Sequence, residues 1–377
     1  MLRQILIVNQ CAHSLTVEIA NAFVRSGKYG KVVIATGENI NPKFGLSENV
    51  SIQPIARYNM RSTFTRMISW IRATVKLIFL CVFKYREYEL FLISNPPIDS
   101  FVPNFCRNKY STLIFDVYPD GLGNFASKKS LIYRLWAKNN VKFYKNAQYV
   151  YTLTNSMAET IAQYCPIEKI EVVSLWATPT LPVVSVGRKD NPFIKEHPEL
   201  ADKFIIMYSG NIGLDHDLTC LLDAVKSIDN PNICAVIIGE GYNKLALQNK
   251  AKGIGIESNC LFYPFQTFEM LPYSLTSADL SVVATKPNGR SSSIPSKVFD
   301  LMKLGQPILC LADPLSEISL LVNKHNIGKS FTTTQIDEIS GFIKEVYDTP
   351  ELLQFYRNNS KESSKLYTSK LAEKYVK

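Results

Sequence analysis

Between Arg290 and Pro307 the chain reads Arg-Ser-Ser-Ser-Ile-Pro-Ser-Lys-Val-Phe-Asp-Leu-Met-Lys-Leu-Gly-Gln-Pro, and the apolar run Ile308 to Ala312 follows at once. Lys297 offers a mobile cation. Asp300, one helical turn later, offers a carboxylate that can accept hydrogen bonds from a neutral hydroxyl pair such as a ribose. Pro295 or Ser296 suits a helix start, and Gly305 with Pro307 stops that helix about two and a half turns later. Ser293, Ile294, Pro295 and Ser296 therefore lead a loop into a helix beside an apolar strand. Backbone N–H groups and the positive dipole end at such a place favour phosphate. The same residues equally suit an ordinary amphipathic helix with a proline start.

Two further glycine turns follow apolar runs. The first is Met207 to Asp217, Met-Tyr-Ser-Gly-Asn-Ile-Gly-Leu-Asp-His-Asp, in which Gly210 and Gly213 let a ligand approach backbone amides. Asp215 and Asp217 also spell D-x-D, a metal-binding pattern elsewhere. Inside a glycine turn that begins a helix, Asp217 is expected to cap instead, and no metal is expected. The second turn, Gly239-Glu240-Gly241, joins a strand to a helix, and Phe262 to Phe265 ends another strand with aromatic groups. In the first half, Phe115 to Gly121 sets Asp116 and Asp120 at a strand's carboxyl end. There they could orient or deprotonate a hydroxyl, or merely cap and turn the backbone. His13, with Ser14 as the expected helix cap, lies in the first strand-to-helix loop and is the one histidine of the first half.

The elements that must position these groups alternate between short apolar strands and helical segments, the rhythm of parallel α/β sheets. Strands are expected at 4–9, 31–36, 51–55, 90–94, 112–115, 148–152 and 170–175, then at 204–209, 234–238, 260–263, 280–284 and 308–311. Helices are expected near 14–26, 63–84, 128–145 and 156–164. Residues 176–203 hold four prolines without periodicity and read as a linker. At 377 residues two domains are the natural expectation: 1–178, a linker at 179–203, 204–359, and a final helix at 360–377 that crosses back onto the first domain. Eight scattered cysteines with no C-x-x-C pair suggest neither a disulfide framework nor zinc. The opening run to Val8 is a strand rather than a signal peptide, and no apolar run approaches the ~20 residues of a bilayer span.

The segments around Gly210, Gly239, Leu271–Asp279 and Ser293–Pro307, in this order and spacing, resemble the donor domain of family 4 glycosyltransferases of the two-domain GT-B type. On that pattern Asp300 takes the acidic place of E-A-M-A-x-G-x-P, with Gly305 and Pro307 its glycine and proline. Ser-Ile-Pro-Ser-Lys-Val-Phe-Asp is similar to the S-x-P-S-K-x-x-E of bacterial surface-polysaccharide enzymes, and Asp116 to Asp120 resembles their D-x-[WY]-P-[DE] segment. The resemblance implies two Rossmann-like doubly wound domains facing across a cleft. It implies transfer of a sugar from a nucleotide-diphosphate donor to a hydroxyl of a glycan acceptor, which a polyprenyl lipid carries. Retention of configuration and the absence of any cofactor or metal are implied too.

The family's diphosphate-gripping Arg and Lys fall here on Asn211 and His216, so Lys297 and Arg290 are expected to supply part of that charge. By the same resemblance Gly210, Gly213, Gly239, Glu240, Gly241, Pro264, Phe265 and Ser293 to Ser296 line the donor, Pro264 and Phe265 against the base. A nucleotide-sugar epimerase or hydrolase of the same fold, or a catalytically silent nucleotide-sugar-binding subunit, stays open.

The net charge of +9 is uneven: up to Asp190 there are 23 Lys and Arg against 12 Asp and Glu, and beyond it 19 against 21. Asn49 to Arg86 holds seven cations and no carboxylate. Phe64, Ile68, Ile71, Val75, Ile78 and Val82 keep helical spacing within it, beside Trp70. A basic amphipathic helix of this kind suits an anionic membrane surface over 61–86, or else a core helix with a solvated basic edge. The expected location is cytoplasmic, peripheral to the inner face of the membrane, with no nucleic-acid partner.

Overall fold

The computed structural model describes residues 2–59, 61–120, 129–213, 216–285 and 293–377. Arg290, Gly121 and Asp215, all singled out above, lie outside them. The chain divides into two compact units, Met1–Thr180 with Ser369–Lys377, and Leu181–Thr368.

In the first unit seven strands form one sheet: β1 (Arg3–Val8), β2 (Tyr29–Thr36), β3 (Val50–Pro54), β4 (Glu89–Ile93), β5 (Tyr110–Ile114), β6 (Val150–Thr152) and β7 (Ile170–Val172). Their order is β3-β2-β1-β4-β5-β6-β7, and each pairing is parallel. The helices are α1 (Ser14–Arg25), α2 (Thr63–Phe83), α3 (Leu131–Asn146) and α4 (Asn155–Ile161). The second unit repeats the plan with β8 (Phe204–Ser209), β9 (Ile233–Ile238), β10 (Cys260–Tyr263), β11 (Leu280–Ala284), β12 (Ile308–Leu311) and β13 (Gly328–Phe331), ordered β10-β9-β8-β11-β12-β13 and again parallel. Its helices are α5 (Pro192–Glu196), α6 (Thr219–Ile228), α7 (Lys244–Gly253), α8 (Leu271–Ser277), α9 (Lys297–Lys303), α10 (Glu317–His325), α11 (Ile336–Asp348) and α12 (Pro350–Ser364). Both are doubly wound α/β sheets, so strand order reverses between β1 and β4 and between β8 and β11. Ligands are expected outside the carboxyl ends of the strands at those two places.

Three expectations change. Residues 181–203 are not an open linker but part of the second unit: Phe193 and Ile194 of α5, with Leu200, are buried against one face of β8 and β9. Three apolar anchors among four prolines are too few to show a period, yet enough to cover a sheet face. Residues 360–377 are not one helix. α12 already ends at Ser364, and the 3-10 turn Ser369–Tyr375 packs on α1, with Tyr375 ringed by Phe91 at 5.5 Å and Tyr151 at 5.0 Å. The third change concerns α2. Trp70 faces inward, 6% exposed, with Ser69, Ala73, Leu77 and Leu80, so the small residues let the helix pack closely on the 3-10 segment Pro97–Asn104. The outward stripe is Phe64, Met67, Ile71, Val75, Phe79 and Phe83, while Ile78 and Val82 are half-buried. Among the described residues no helix is long and apolar enough to cross a membrane.

Candidate active site

The carboxyl end of the second sheet is built from two glycine turns bonded to each other. Gly210 N donates to Ile238 O at 2.9 Å and Ile212 N to Glu240 O at 2.9 Å, while Asn243 donates from N to Ile212 O and from Nδ2 to Gly213 O, both at 3.0 Å. So close an approach excludes side chains. A Cβ on Gly239 would stand 1.9 Å from Gly210 O, and one on Gly241 2.4 Å from Ile212 O, and both residues hold positive φ, +143° and +154°. Beneath the first turn the buried Tyr208 donates its hydroxyl to Asn211 O at 2.6 Å, fixing the loop from below.

Lys297 reaches this platform from α9. Its Nζ lies 3.7 Å from the centre of the Tyr208 ring, 3.4 Å from Ser209 O, and 3.2 Å from where a Cβ on Gly210 would stand. Burial pushes the ammonium down to about 7. The Tyr208 face and the Ser209 carbonyl hold a cation there. Lys297 and Asp300 together line a pocket of about 420 Å³ with Met207, Ser209, Leu271, Leu275 and Leu301. The arrangement can bind an anion at the Gly210 turn and hydroxyls one helical turn away.

α9 is shorter than expected, seven residues instead of two and a half turns, because it starts at Lys297 rather than at Pro295 or Ser296; Gly305, at φ +71° directly after Leu304, ends it as expected. Ser296 stands at its cap position without a side-chain capping bond. A dipole of two turns is small, so the cation rather than the helix end carries the site's charge. Ser293 and Ser296 are exposed and Ile294 and Pro295 half-buried on the approach to it.

The remaining residues of the second unit separate into two groups. The Phe265 ring edge lies 3.4 Å from a Cβ built on Gly239, with Phe265 itself 55% exposed, so an aromatic face borders the glycine turns beside exposed Pro264. Asn211 is exposed, and His216 is half-buried with its ring 6.2 Å from that of Tyr208. Glu240 is engaged elsewhere, pairing with Lys244 at 2.6 Å. Asp217 Oδ1 accepts from Thr219 N at 2.9 Å and Thr219 Oγ1 at 2.6 Å, a turn one residue ahead of the cap position of α6, which Leu218 fills instead of Asp217. Asp279 is a structural clamp: it accepts from Ile205 N at 2.8 Å and pairs with Arg188 at 2.5 Å and Arg357 at 3.8 Å.

In the first unit the structure sorts the two carboxylates after β5. Asp120 accepts from Tyr164 OH at 2.6 Å, Tyr133 OH at 2.7 Å and Gln163 Nε2 at 3.2 Å, so its oxygens tie α3 to the turn that follows α4. Among the described residues no side chain latches Asp116 in this way, and burial pushes its carboxyl above the ordinary range. A residue the sequence reading passed over, Asp99, lines the same small cavity as Asp116. It is 2% exposed, its Oδ2 has no hydrogen-bond partner, and burial pushes its carboxyl well above the carboxylate range. Its one sequence signal is its place just after β4, in Asn-Pro-Pro-Ile-Asp. His13 occupies the cap position of α1, exposed and without a capping bond, and Ser14 is the first helical residue rather than the cap.

Two parallel doubly wound units with glycine turns at the strand ends define a GT-B fold. Solved structures agree: Anabaena HepE in complex with UDP matches with a TM-score of 0.73 at 12% identity, covering 99% of this chain and 98% of that one. WaaG, a glycosyltransferase involved in lipopolysaccharide biosynthesis, matches with a TM-score of 0.69 at 12% identity, covering 100% and 98%. Residues 190–363, nearly all of the second unit, match the profile of the glycosyl transferases group 1 family. It is similar to the probable glycosyltransferase WbjE of Pseudomonas aeruginosa, 26% identical over 228 residues, 58% of this chain and 55% of that protein. It is also similar to the putative colanic acid biosynthesis glycosyl transferase WcaI of Escherichia coli K12, 28% identical over 137 residues, 36% of this chain and 33% of that protein. The matched stretches thus span about half and one third of these curated relatives.

Proposed function

We propose that this chain transfers a sugar from a nucleotide-diphosphate donor to a hydroxyl of a lipid-linked glycan, in the synthesis of a bacterial surface polysaccharide. The observation that carries the reading is the Lys297 ammonium set against the Gly210 turn, with Asp300 lining the same pocket. Breaking the anomeric bond puts positive character on the sugar and negative charge on the departing diphosphate. A cation held in a half-buried pocket strengthens its interaction as that charge grows, so it favours the transition state over the bound substrate. Lys297 then does the work of the Arg and Lys whose family places fall on Asn211 and His216, with the half-buried His216 as a further donor toward the diphosphate.

Asp300 receives the ribose hydroxyls, and Phe265 with Pro264 borders the base. Ser293 to Ser296 and the Gly239 to Gly241 turn complete the donor's surroundings. The first unit takes the acceptor, with Asp116 orienting its hydroxyl and His13 in the loop after β1, two strands away. Asp120 is left out of the chemistry because two tyrosines and a glutamine occupy it. The likeness to HepE, solved with UDP, supports a nucleotide donor, and the likeness to WcaI and WbjE supports a surface glycan.

The exposed stripe of α2, set among Arg61, Arg72, Lys76 and Lys84 with no carboxylate from Asn49 to Arg86, supports docking on an anionic membrane at its cytoplasmic face. Retention of configuration without metal follows from the family and is part of the proposal. The test is a screen of nucleotide sugars for thermal stabilisation, followed by transfer of the one that binds to a prenyl-diphosphate-linked sugar. Stabilisation by one donor and a new glycosidic bond are expected. Consumption of the donor with no acceptor product would replace the reading by a hydrolase or epimerase.

A further inference from the structure

Beside the outward stripe of α2 lies an open groove of about 790 Å³, lined by Ala56, Arg57, Asn59, Thr65, Ile68, Ser69 and Arg72. It opens just past the carboxyl end of β3, on the side of the sheet where ligands are expected. Its lining contains two guanidiniums, an amide and two hydroxyls, and no carboxylate. Glu38 meets Arg57 from outside the groove at 3.3 Å, yet the Arg57 side chain stays 80% exposed. Behind Ser69 the wall is aromatic: Tyr58 stacks on Trp70 at 6.5 Å, and Trp70 meets Tyr118, two residues from Asp116, at 6.0 Å. Ile68 belongs both to the groove and to the exposed apolar face of α2, so polar groove and greasy stripe are continuous.

We infer that this groove receives the diphosphate headgroup of a prenyl-chain lipid whose hydrocarbon lies along Phe64, Ile68, Ile71 and Val75. Charge complementarity carries the assignment: Arg57 and Arg72 present planar forks suited to phosphate oxygens, with the Asn59 amide beside them, while the Thr65 and Ser69 hydroxyls donate to Ser62 O and Arg66 O and line the groove without adding a donor. A phosphate monoanion alone would not use the apolar stripe, and a neutral lipid would not use the arginines. An amphiphile with a diphosphate head uses both. The Tyr58–Trp70–Tyr118 wall then leads from that headgroup to the loop that holds Asp116, where a sugar carried on the diphosphate would extend.

The inference rests on the lipid-linked acceptor proposed above, and the two fail separately. Calorimetric titration of the full chain with farnesyl diphosphate, farnesol and inorganic pyrophosphate reads the groove directly. Farnesyl diphosphate is expected to bind more tightly than either fragment. The double variant Arg57→Gln/Arg72→Gln is expected to weaken it roughly tenfold, with the unfolding temperature unchanged because both side chains are exposed. Ile68→Ser/Ile71→Ser is expected to weaken the prenyl compound and leave pyrophosphate unaffected. Equal binding of farnesyl diphosphate by wild type and the arginine variant would overturn the site. Pyrophosphate binding as tightly as farnesyl diphosphate, and equally lost in the arginine variant, would make it a plain anion site and overturn the lipid. Binding as inferred, with no transfer to a prenyl-diphosphate-linked sugar, would leave the groove standing and remove the acceptor reading.

Discussion

The carboxyl ends of the two sheets share a topology and differ in what their polar groups are doing. In the second unit, backbone bonds lock two glycine turns together and a tyrosine pins them from below, while Lys297 is held over them by an aromatic face and a carbonyl. In the first unit, Asp120 is consumed by three donors, and Asp99 is buried with its carboxyl pushed up. Charge is thus kept available at one end and used or neutralised at the other. On the function proposed above, the second unit meets the highly charged donor. The first, on the same reading, brings an acceptor hydroxyl to one carboxyl group, Asp116, with its cations set apart in the Arg57 and Arg72 groove.

The sharpest way to break this contrast is to spoil the glycine platform. Gly239→Ala puts a Cβ 1.9 Å from Gly210 O at a φ of +143°, and about 3 kcal/mol of stability is expected to be lost. Thermal unfolding should fall by roughly 6–12 °C, and an unchanged midpoint would show that the two turns are not rigidly joined. Lys297→Ala comes next: turnover is expected to drop about 100-fold, near 2.7 kcal/mol, with folding retained. Asp120→Ala should do the reverse, costing about 2 kcal/mol of stability by stranding two tyrosine hydroxyls, while the surviving folded enzyme keeps its turnover below the unfolding range. Loss of turnover at full stability would return Asp120 to the chemistry. Asp300→Ala is expected to weaken nucleotide binding about tenfold, near 1.4 kcal/mol, as read by titration.

How much of this was legible in the sequence follows from local physics. β8, β10, β11 and β12 were placed to the residue because an apolar run stops at a turn-forming or polar neighbour. β13 was missed: Gly-Lys-Ser-Phe has no apolar run, and as the last strand in the sheet order it packs on one side only. The pairing of Lys297 with Asp300 could be read from their spacing. The role of Tyr208 could not, since nothing in a strand's alternation says that its ring will lie beneath a lysine 89 residues later. The inward face of α2 could not be read because the helix is apolar on two sides, and periodicity does not say that Trp70 turns inward with the small residues Ser69 and Ala73. Asp120 looked like a base because its partners Tyr133, Gln163 and Tyr164 arrive from α3 and from the turn after α4.

The central claim is that the Lys297 ammonium, held at about 7 by burial, meets the diphosphate. A dianion bound against it must raise that value, so binding above pH 7 takes up a proton and affinity falls as the pH climbs from 7 to 9. Titration of UDP by calorimetry at pH 8, in buffers of differing ionisation enthalpy, counts the proton. Uptake approaching one proton in the wild type and none in Lys297→Met is the predicted result. Tight binding with equal proton uptake in both proteins would contradict the account.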